Sequence, residues 1–371
     1  QSILVETLSG LESVKSSGAG PLMKSRYQEA LSAQSDTSGK AKGLSQFIVN
    51  FAASVQQYAQ IAIIFYGVFL IKDGEITQGA LIAAVILGGR AMAPLGQLAN
   101  VLSRANNALS AYKSLSNLFQ NGKNVSSEGH SISRGTLNGE IEFKNVDFQY
   151  DEGSEKIVDT LTIKIPFGQK VAIVGKMGSG KSTIAKLLSN SISPTHGSVL
   201  YDGVDIRQLD QEDLLRNVGT MPQEPWLFSG TIRENLQVGY PEYSDEHLLK
   251  IAKIGGVDEF VSQLPEGYDT RLREKGAGLS GGQKQAISLS RALLHDPNIL
   301  ILDEPTSSMD QNSEQKIVEN LNLTAKDKTM IVITHRNALL SICDRVLVME
   351  NGKVVADNTP EQLGIKKLAS S

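Results

Sequence analysis

The chain has 371 residues, with 36 Lys and Arg against 40 Asp and Glu and a net charge of −4, so no strongly basic surface marks a nucleic-acid binder. Cys343 is its single cysteine, which excludes an internal disulfide and leaves no Cys/His cluster with zinc spacing. A mean hydropathy of −0.13 averages two unlike halves, and the length has room for two or three domains.

Leu4 to Val14 reads as the middle of a helix, and Gln1 is not an initiator, so the chain is expected to be a piece of a longer protein. Gly18-Ala19-Gly20-Pro21 to Arg26 reads as a short turn. Residues 47–71 carry no charged side chain and are long enough to cross ~30 Å of hydrocarbon as a helix. Gln56, Gln57 and Gln60 keep an amphipathic soluble bundle open as the alternative. Residues 79–98 form a second apolar stretch, broken by Arg90 and Pro94, and the short polar turn between the two predicts a transmembrane hairpin. Arg90 costs roughly 2.5 to 3.5 kcal/mol at a bilayer centre, so it either faces a bundle interior or water, or snorkels to an interface. Lys24, Arg26, Lys40 and Lys42 precede the first span and agree with a cytosolic N-terminal side. A helical pattern continues from Leu98 to Phe119, and residues 121–137, rich in Ser and Gly, read as a linker.

The apolar run Val171 to Val174 predicts a strand, and Gly175-Lys176-Met177-Gly178-Ser179-Gly180-Lys181-Ser182 follows it at once. That pattern is a phosphate-binding loop, whose backbone N–H groups wrap the phosphates while Lys181 reaches the outer ones and Ser182 offers its hydroxyl to Mg²⁺. Thr183 to Leu188 is then a helix with its positive end toward the anion. Ile299-Leu300-Ile301-Leu302 predicts a buried parallel strand ending in Asp303 and Glu304. Ligands gather at the carboxyl ends of such strands, which makes Asp303 the metal-side acid and Glu304 the candidate base for water. Met330 to Thr334 predicts another strand, closed by His335.

Between the phosphate loop and the acidic pair stands Leu279-Ser280-Gly281-Gly282-Gln283. With it, the region from about residue 138 to the end resembles the nucleotide-binding domain of ABC transporters. The resemblance implies an α/β P-loop NTPase, residues 138–371, joined through the linker to a partial all-α transmembrane domain, residues 1–120. It further implies ATP with Mg²⁺. Tyr150 would stack on adenine, while Gly175, Gly178, Ser179, Gly180, Lys181, Ser182 and Thr183 would hold the phosphates. Ser182, Gln223 and Asp303 would hold the metal, and Glu304, His335 and Gln223 would carry the chemistry. Ser280, Gly281, Gly282 and Gln283 open a second anion-binding helix terminus, which by resemblance caps the ATP held by a partner subunit in a head-to-tail dimer, with Asp310 on the neighbouring loop; a second copy is the simplest partner and a heterodimer the alternative. The chain departs from the family pattern at Arg273, where relatives commonly have a small residue, and by conservative changes in Ser307-Ser308-Met309-Asp310.

Within the family, Leu4-Val5-Glu6-Thr7-Leu8-Ser9-Gly10-Leu11-Glu12, Gly88-Gly89-Arg90-Ala91-Met92-Ala93-Pro94-Leu95-Gly96-Gln97 and Pro305 to Asp310 are similar to type I secretion ATPases of Gram-negative bacteria. This implies a protein substrate, a periplasmic adaptor, an outer-membrane channel and a place in the bacterial inner membrane. It also implies that residues 18–26 dock on a nucleotide-binding domain and that the stretch Glu224 to Phe228 is exposed and faces the membrane domain. A lipid, drug or peptide exporter with the same ATPase is the alternative. A soluble ABC ATPase acting on ribosomes or DNA is disfavoured by the apolar hairpin and the lack of basic stretches.

Overall fold

The computed structural model describes residues 2–123, 132–151, 153–239 and 243–365. It divides into two compact units, 1–121 and 122–371.

The first unit is helical: α1 (Ser2–Ser9), α2 (Leu11–Ser16), α3 (Gly20–Lys72) and α4 (Gln78–Lys123). Gly10 divides the single helix expected over Leu4 to Val14. The turn expected over residues 18–26 is confined to Ser17, Gly18 and Ala19, because Pro21 lies in the first turn of α3, where its missing N–H removes no helical bond. Within α3, Ala53–Lys72 is long and apolar enough to cross a membrane, while Gln78–Ala91 of α4 is a shorter apolar segment. The expected spans 47–71 and 79–98 both fall inside these helices, but side chains 92–100 lie outside the described residues. The two helices pack as an antiparallel hairpin at glycines. A Cβ on Gly67 would lie 2.2 Å from Leu81, one on Gly88 3.1 Å from Ile63, and one on Gly89 2.7 Å from the Gln60 amide. Gln60 therefore faces the neighbouring helix, which accounts for one of the glutamines that made the first span imperfect.

The second unit begins with β1 (Ile141–Phe148), β2 (Val158–Ile165), β3 (Lys170–Gly175), α5 (Lys181–Leu188), β4 (His196–Tyr201) and β5 (Val204–Asp205). Next come α6 (Gln211–Asn217), β6 (Val218–Met221), β7 (Gly230–Thr231), α7 (Ile232–Leu236), α8 (Asp245–Ile254), α9 (Val257–Val261) and β8 (Arg271–Leu272). It closes with α10 (Gly281–Leu293), β9 (Ile299–Asp303), α11 (Gln311–Thr324), β10 (Thr329–Ile333), α12 (Asn337–Leu340), β11 (Arg345–Glu350) and β12 (Lys353–Asn358). Its main sheet runs β12-β11-β3-β10-β9-β6, parallel except for the β12 edge. A separate antiparallel sheet, β2-β1-β4-β5, faces one apolar core, and the helices around α10 enclose another. Every residue of β9 and β10 is buried, the signature of a parallel strand covered on both faces.

The register sets up the site. Ile333 of β10 pairs with Asp303 of β9 and with Ile173 of β3, and Met221 of β6 pairs with Leu302. The carboxyl ends of β3, β6, β9 and β10 thus lie along one edge of the sheet. Residues 132–137, expected in the linker, are attached to this unit. Ile132 bridges to Leu209, and Leu137 is fully buried. The Asp213 carboxylate accepts bonds from Ser133 Oγ (2.9 Å) and from the backbone N–H groups of Arg134 (2.7 Å) and Gly135 (3.1 Å), which holds its pKa below the ordinary carboxylate value. Small polar residues suggested a linker; here they leave backbone donors open to a capping carboxylate. Residues 124–131 lie outside the described residues.

Candidate nucleotide site

The phosphate loop leaves β3 at Gly175 and enters α5 through Gly180. Gly180 caps the helix at φ 95°, and a Cβ there would lie 2.6 Å from the Ile157 carbonyl oxygen, so only glycine fits. Gly178 also has a left-handed φ of 80°. Ser179 and Thr183 are buried. The Lys181 ammonium folds back onto the loop and donates to the Gly175 (2.7 Å) and Lys176 (2.8 Å) carbonyls. Burial pushes its pKa down, while Glu304 and Asp303 pull it up.

Opposite the loop, Asp303 is 4% exposed at the end of β9. Burial raises its pKa against a hydrogen bond from Ser182 and the charges of Lys181 and Lys186. Its Oδ1 is buried without a hydrogen-bond partner. A carboxylate with a spare buried oxygen beside a serine hydroxyl is the oxygen donor set that Mg²⁺ takes, so these residues fit the metal. Glu304 follows in the left-handed region, at φ 49°, a conformation uncommon outside glycine and found at functional turns. Burial raises its pKa and the adjacent Asp303 adds to this, while His335, Lys181 and Arg336 oppose it. His335 Nε2 stands 3.7 Å from Glu304 Oε1. The backbone N–H of Glu304 donates to the Ile333 carbonyl (2.9 Å), joining the two loops at their bases.

The remaining expected residues occupy three further places. Gln223, two residues beyond the end of β6, is exposed at the same sheet edge. Tyr150, just beyond β1, is 55% exposed and meets Phe148 edge-on with centroids 4.9 Å apart. Lys186 of α5 reaches over its ring at 5.9 Å, which ties the aromatic to the helix that opens with the phosphate loop.

Ser280 caps α10 with a reciprocal box: Gln283 N donates to Ser280 Oγ (3.2 Å) and Ser280 N to Gln283 Oε1 (2.9 Å). Both side chains are thus committed locally, and Gly281 of the turn is exposed. Ser280, Gly282 and Gln283 line a groove of about 790 Å³ with Ser308 and Asp310, and no residue of the phosphate loop lines it. A Cβ on Gly281 would lie 2.9 Å from Ser308. Asp310 caps α11, accepting from Asn312 N, Ser313 N and Ser313 Oγ, which hold its pKa down. One chain therefore assembles the phosphate loop, Asp303, Glu304 and His335, and presents the Ser280 turn with Asp310 elsewhere.

Sequence reasoning missed Gln285, which is 2% exposed on α10. Its amide donates to the Glu304 carbonyl (3.2 Å) and Ser307 Oγ (2.7 Å) and accepts from Ser308 N (2.9 Å). Its position one turn into the helix behind Ser280 was the available signal. The apolar stretch 226–228 also divides. Trp226 and Phe228 are about half exposed, but Leu227 is fully buried and packs into the apolar core around α10. Arg273 is exposed, and Lys275 of the same segment lies over the Trp226 ring at 5.1 Å.

Comparison with known proteins finds relatives that match both units of the chain. Residues 158–307 match the ABC transporter family, and residues 1–88 match the ABC transporter transmembrane region. The alpha-hemolysin translocation ATP-binding protein HlyB of Escherichia coli is 34% identical over 363 residues, covering 98% of this chain and 51% of HlyB. The leukotoxin translocation ATP-binding protein LktB of Mannheimia glucosida is 33% identical over 98% of the chain and 51% of its own length. YgaD of Bacillus subtilis, a putative multidrug export ATP-binding/permease protein, is 35% identical over 84% of the chain and 53% of its own length. The chain spans about half the length of these relatives. A solved bacterial Atm1-family ABC exporter with ATP bound superposes with a TM-score of 0.86 at 29% identity, over 97% of this chain and 64% of that one. The chain belongs to the ABC transporters, with that family's ATP-binding domain over residues 158–307 and its transmembrane region over residues 1–88.

Proposed function

We propose that residues 138–371 bind ATP with Mg²⁺ and hydrolyse it to drive export across a bacterial inner membrane, and that residues 1–120 belong to the membrane domain, with 121–137 between them. The observation that carries this reading is the single sheet edge on which the phosphate loop, the half-satisfied Asp303 and the Glu304–His335 pair converge. Gly175, Gly178, Ser179, Gly180 and Thr183 shape the cradle. Lys181 leaves the loop carbonyls to meet the outer phosphates, and Ser182, Asp303 and Gln223 hold the metal, which supplies counter-charge when bound. Glu304 takes the proton of the attacking water, and His335 donates toward the γ-phosphate. Tyr150 stacks on adenine.

The separation of the Ser280 groove from the phosphate loop supports a head-to-tail pair, in which Ser280, Gly281, Gly282, Gln283 and Asp310 of one copy close over the nucleotide of the other. The names of HlyB and LktB favour a protein substrate in type I secretion, with a periplasmic adaptor and an outer-membrane channel as partners. The likeness to YgaD favours a second reading, a drug exporter with the same ATPase. The test of the engine is hydrolysis of Mg²⁺-ATP by the purified chain in detergent. Lys181→Ala should bind ATP weakly and hydrolyse at background. Parent activity in Lys181→Ala would overturn the phosphate-loop assignment.

A further inference from the structure

We propose that Arg336 and Glu314 form a clamp that fixes the separation of Glu304 and His335. This is a positioning role, and it rests on the reading of those two residues as catalytic. Glu304 leads the loop after β9 and His335 the loop after β10. Strand pairing aligns the two backbones as far as Asp303 and Ile333, and the bond from Glu304 N to the Ile333 carbonyl is the last backbone rung shared by the loops at this edge. Beyond it, side chains must hold the loops.

Arg336, next to His335 in sequence, does this with a forked donor. Its Nη1 lies 3.0 Å from Glu314 Oε2, and its Nη2 donates to the Ser307 carbonyl at 3.0 Å, three residues beyond Glu304. Its backbone N–H donates to Thr334 Oγ1 (3.0 Å), which fixes the turn that carries His335. Glu314, on α11, is 5% exposed, and its second oxygen accepts from the fully buried Thr306 hydroxyl (3.0 Å). One buried carboxylate, with no part in the chemistry assigned above, thus joins the Glu304 loop to the His335 loop through one arginine.

Glu314 is buried but the Arg336 side chain is 37% exposed, and desolvation of the carboxylate together with solvent screening of the arginine offsets much of their attraction, so stability alone is a poor account of this pair. Geometry is the better account, because the planar guanidinium reaches a carboxylate and a carbonyl at once in fixed directions. From the other side, Gln285 grips the Glu304 carbonyl and the Ser307 hydroxyl, so the 304–308 loop has little freedom once Arg336 is in place.

The test is steady-state ATP hydrolysis by the purified chain, with ATP affinity and melting temperature measured on the same samples. Arg336→Met should lower kcat tenfold or more with KM for ATP within about twofold, because displacing a reacting group by an ångström can cost about 100-fold. Arg336→Lys keeps the charge beside Glu314 but loses the fork, so it should fold and give an intermediate kcat. Glu314→Gln should resemble Arg336→Met, and the double variant should be no slower than the slower single, since one contact is removed twice. A folded Arg336→Lys or Glu314→Gln protein that turns over at the parent rate overturns the clamp, even if Arg336→Met fails to fold. A loss shared equally between kcat and KM would also overturn it. Glu304→Gln is the separate control: if that variant hydrolyses ATP at the parent rate, the reading of Glu304 fails whatever Arg336 does.

Discussion

In the second unit, β9 and β10 bury every residue, whereas α3 and α4 of the first leave Phe65, Tyr66 and Leu87 about two-thirds exposed. Both regions are apolar in sequence; the difference is what covers them. The strands are sandwiched by helices of their own unit and need nothing further. Among the described residues, α3 and α4 meet along a seam marked by Gly67, Gly88 and Gly89, while large apolar side chains such as Phe65, Tyr66 and Leu87 are left for lipid or for other helices. An apolar run thus reports burial without saying in what.

The largest way to break this contrast is fractionation. The chain should sediment with membranes, resist extraction by high salt and enter solution only with detergent; recovery from the soluble fraction without detergent would mean that α3 and α4 are covered by protein. Within the second unit, Gly180→Ala should abolish hydrolysis. It would force a side chain against the Ile157 carbonyl at a left-handed φ, at a cost of about 1 to 3 kcal/mol, where the phosphates must bind. Unchanged turnover would show that the loop relaxes freely. Tyr150→Ala should weaken ATP binding by about 1 to 3 kcal/mol, while Tyr150→Trp should hold it near the parent value. Equal affinity in a titration of both variants would remove the stacking role.

The smallest effect concerns pH. His295, half-buried with its Nδ1 3.1 Å from the Tyr243 hydroxyl, has its pKa lowered by burial and by the charges of His247 and Arg216. A lowered histidine pKa means that the unfolded chain binds the proton more readily. Stability contributed by neutral His295 is therefore full above about pH 6.5 and is lost as pH falls below it, by at most about 1.4 kcal/mol per pH unit. His295→Gln should flatten the melting temperature between about pH 7 and 5.5; an unchanged slope would assign the pH dependence to other groups.

Much of the second unit was readable because its signals are local. Val171 to Ser182 encodes strand, turn and helix in one run, and Ser280 with Gln283 three residues on writes its own cap. The first unit was readable in kind but not in detail. Pro21 looked like part of a turn and instead opens a helix, since proline suits both positions. The segment 132–137 looked like linker because its polar residues signal no core, and the carboxylate that captures them, Asp213, lies about 80 residues away. Gln285, Glu314 and Arg336 were missed for the same reason. Their meaning comes from contacts across 19 to 29 residues, which the packing of α10 beside the loop after β9 and the parallel register of β9 and β10 bring together.

The most direct measurement is the fate of Glu304→Gln with Mg²⁺-ATP. The substitution keeps the shape of the side chain and removes the base, which contributes typically 10² to 10⁴-fold to rate and little to binding. Light scattering and nucleotide analysis of the purified chain should find an ATP-filled dimer, with hydrolysis reduced by that factor, while the same protein without nucleotide stays unpaired. A Glu304→Gln chain that remains monomeric with ATP would contradict the sandwich, and one that turns over at the parent rate would contradict the base.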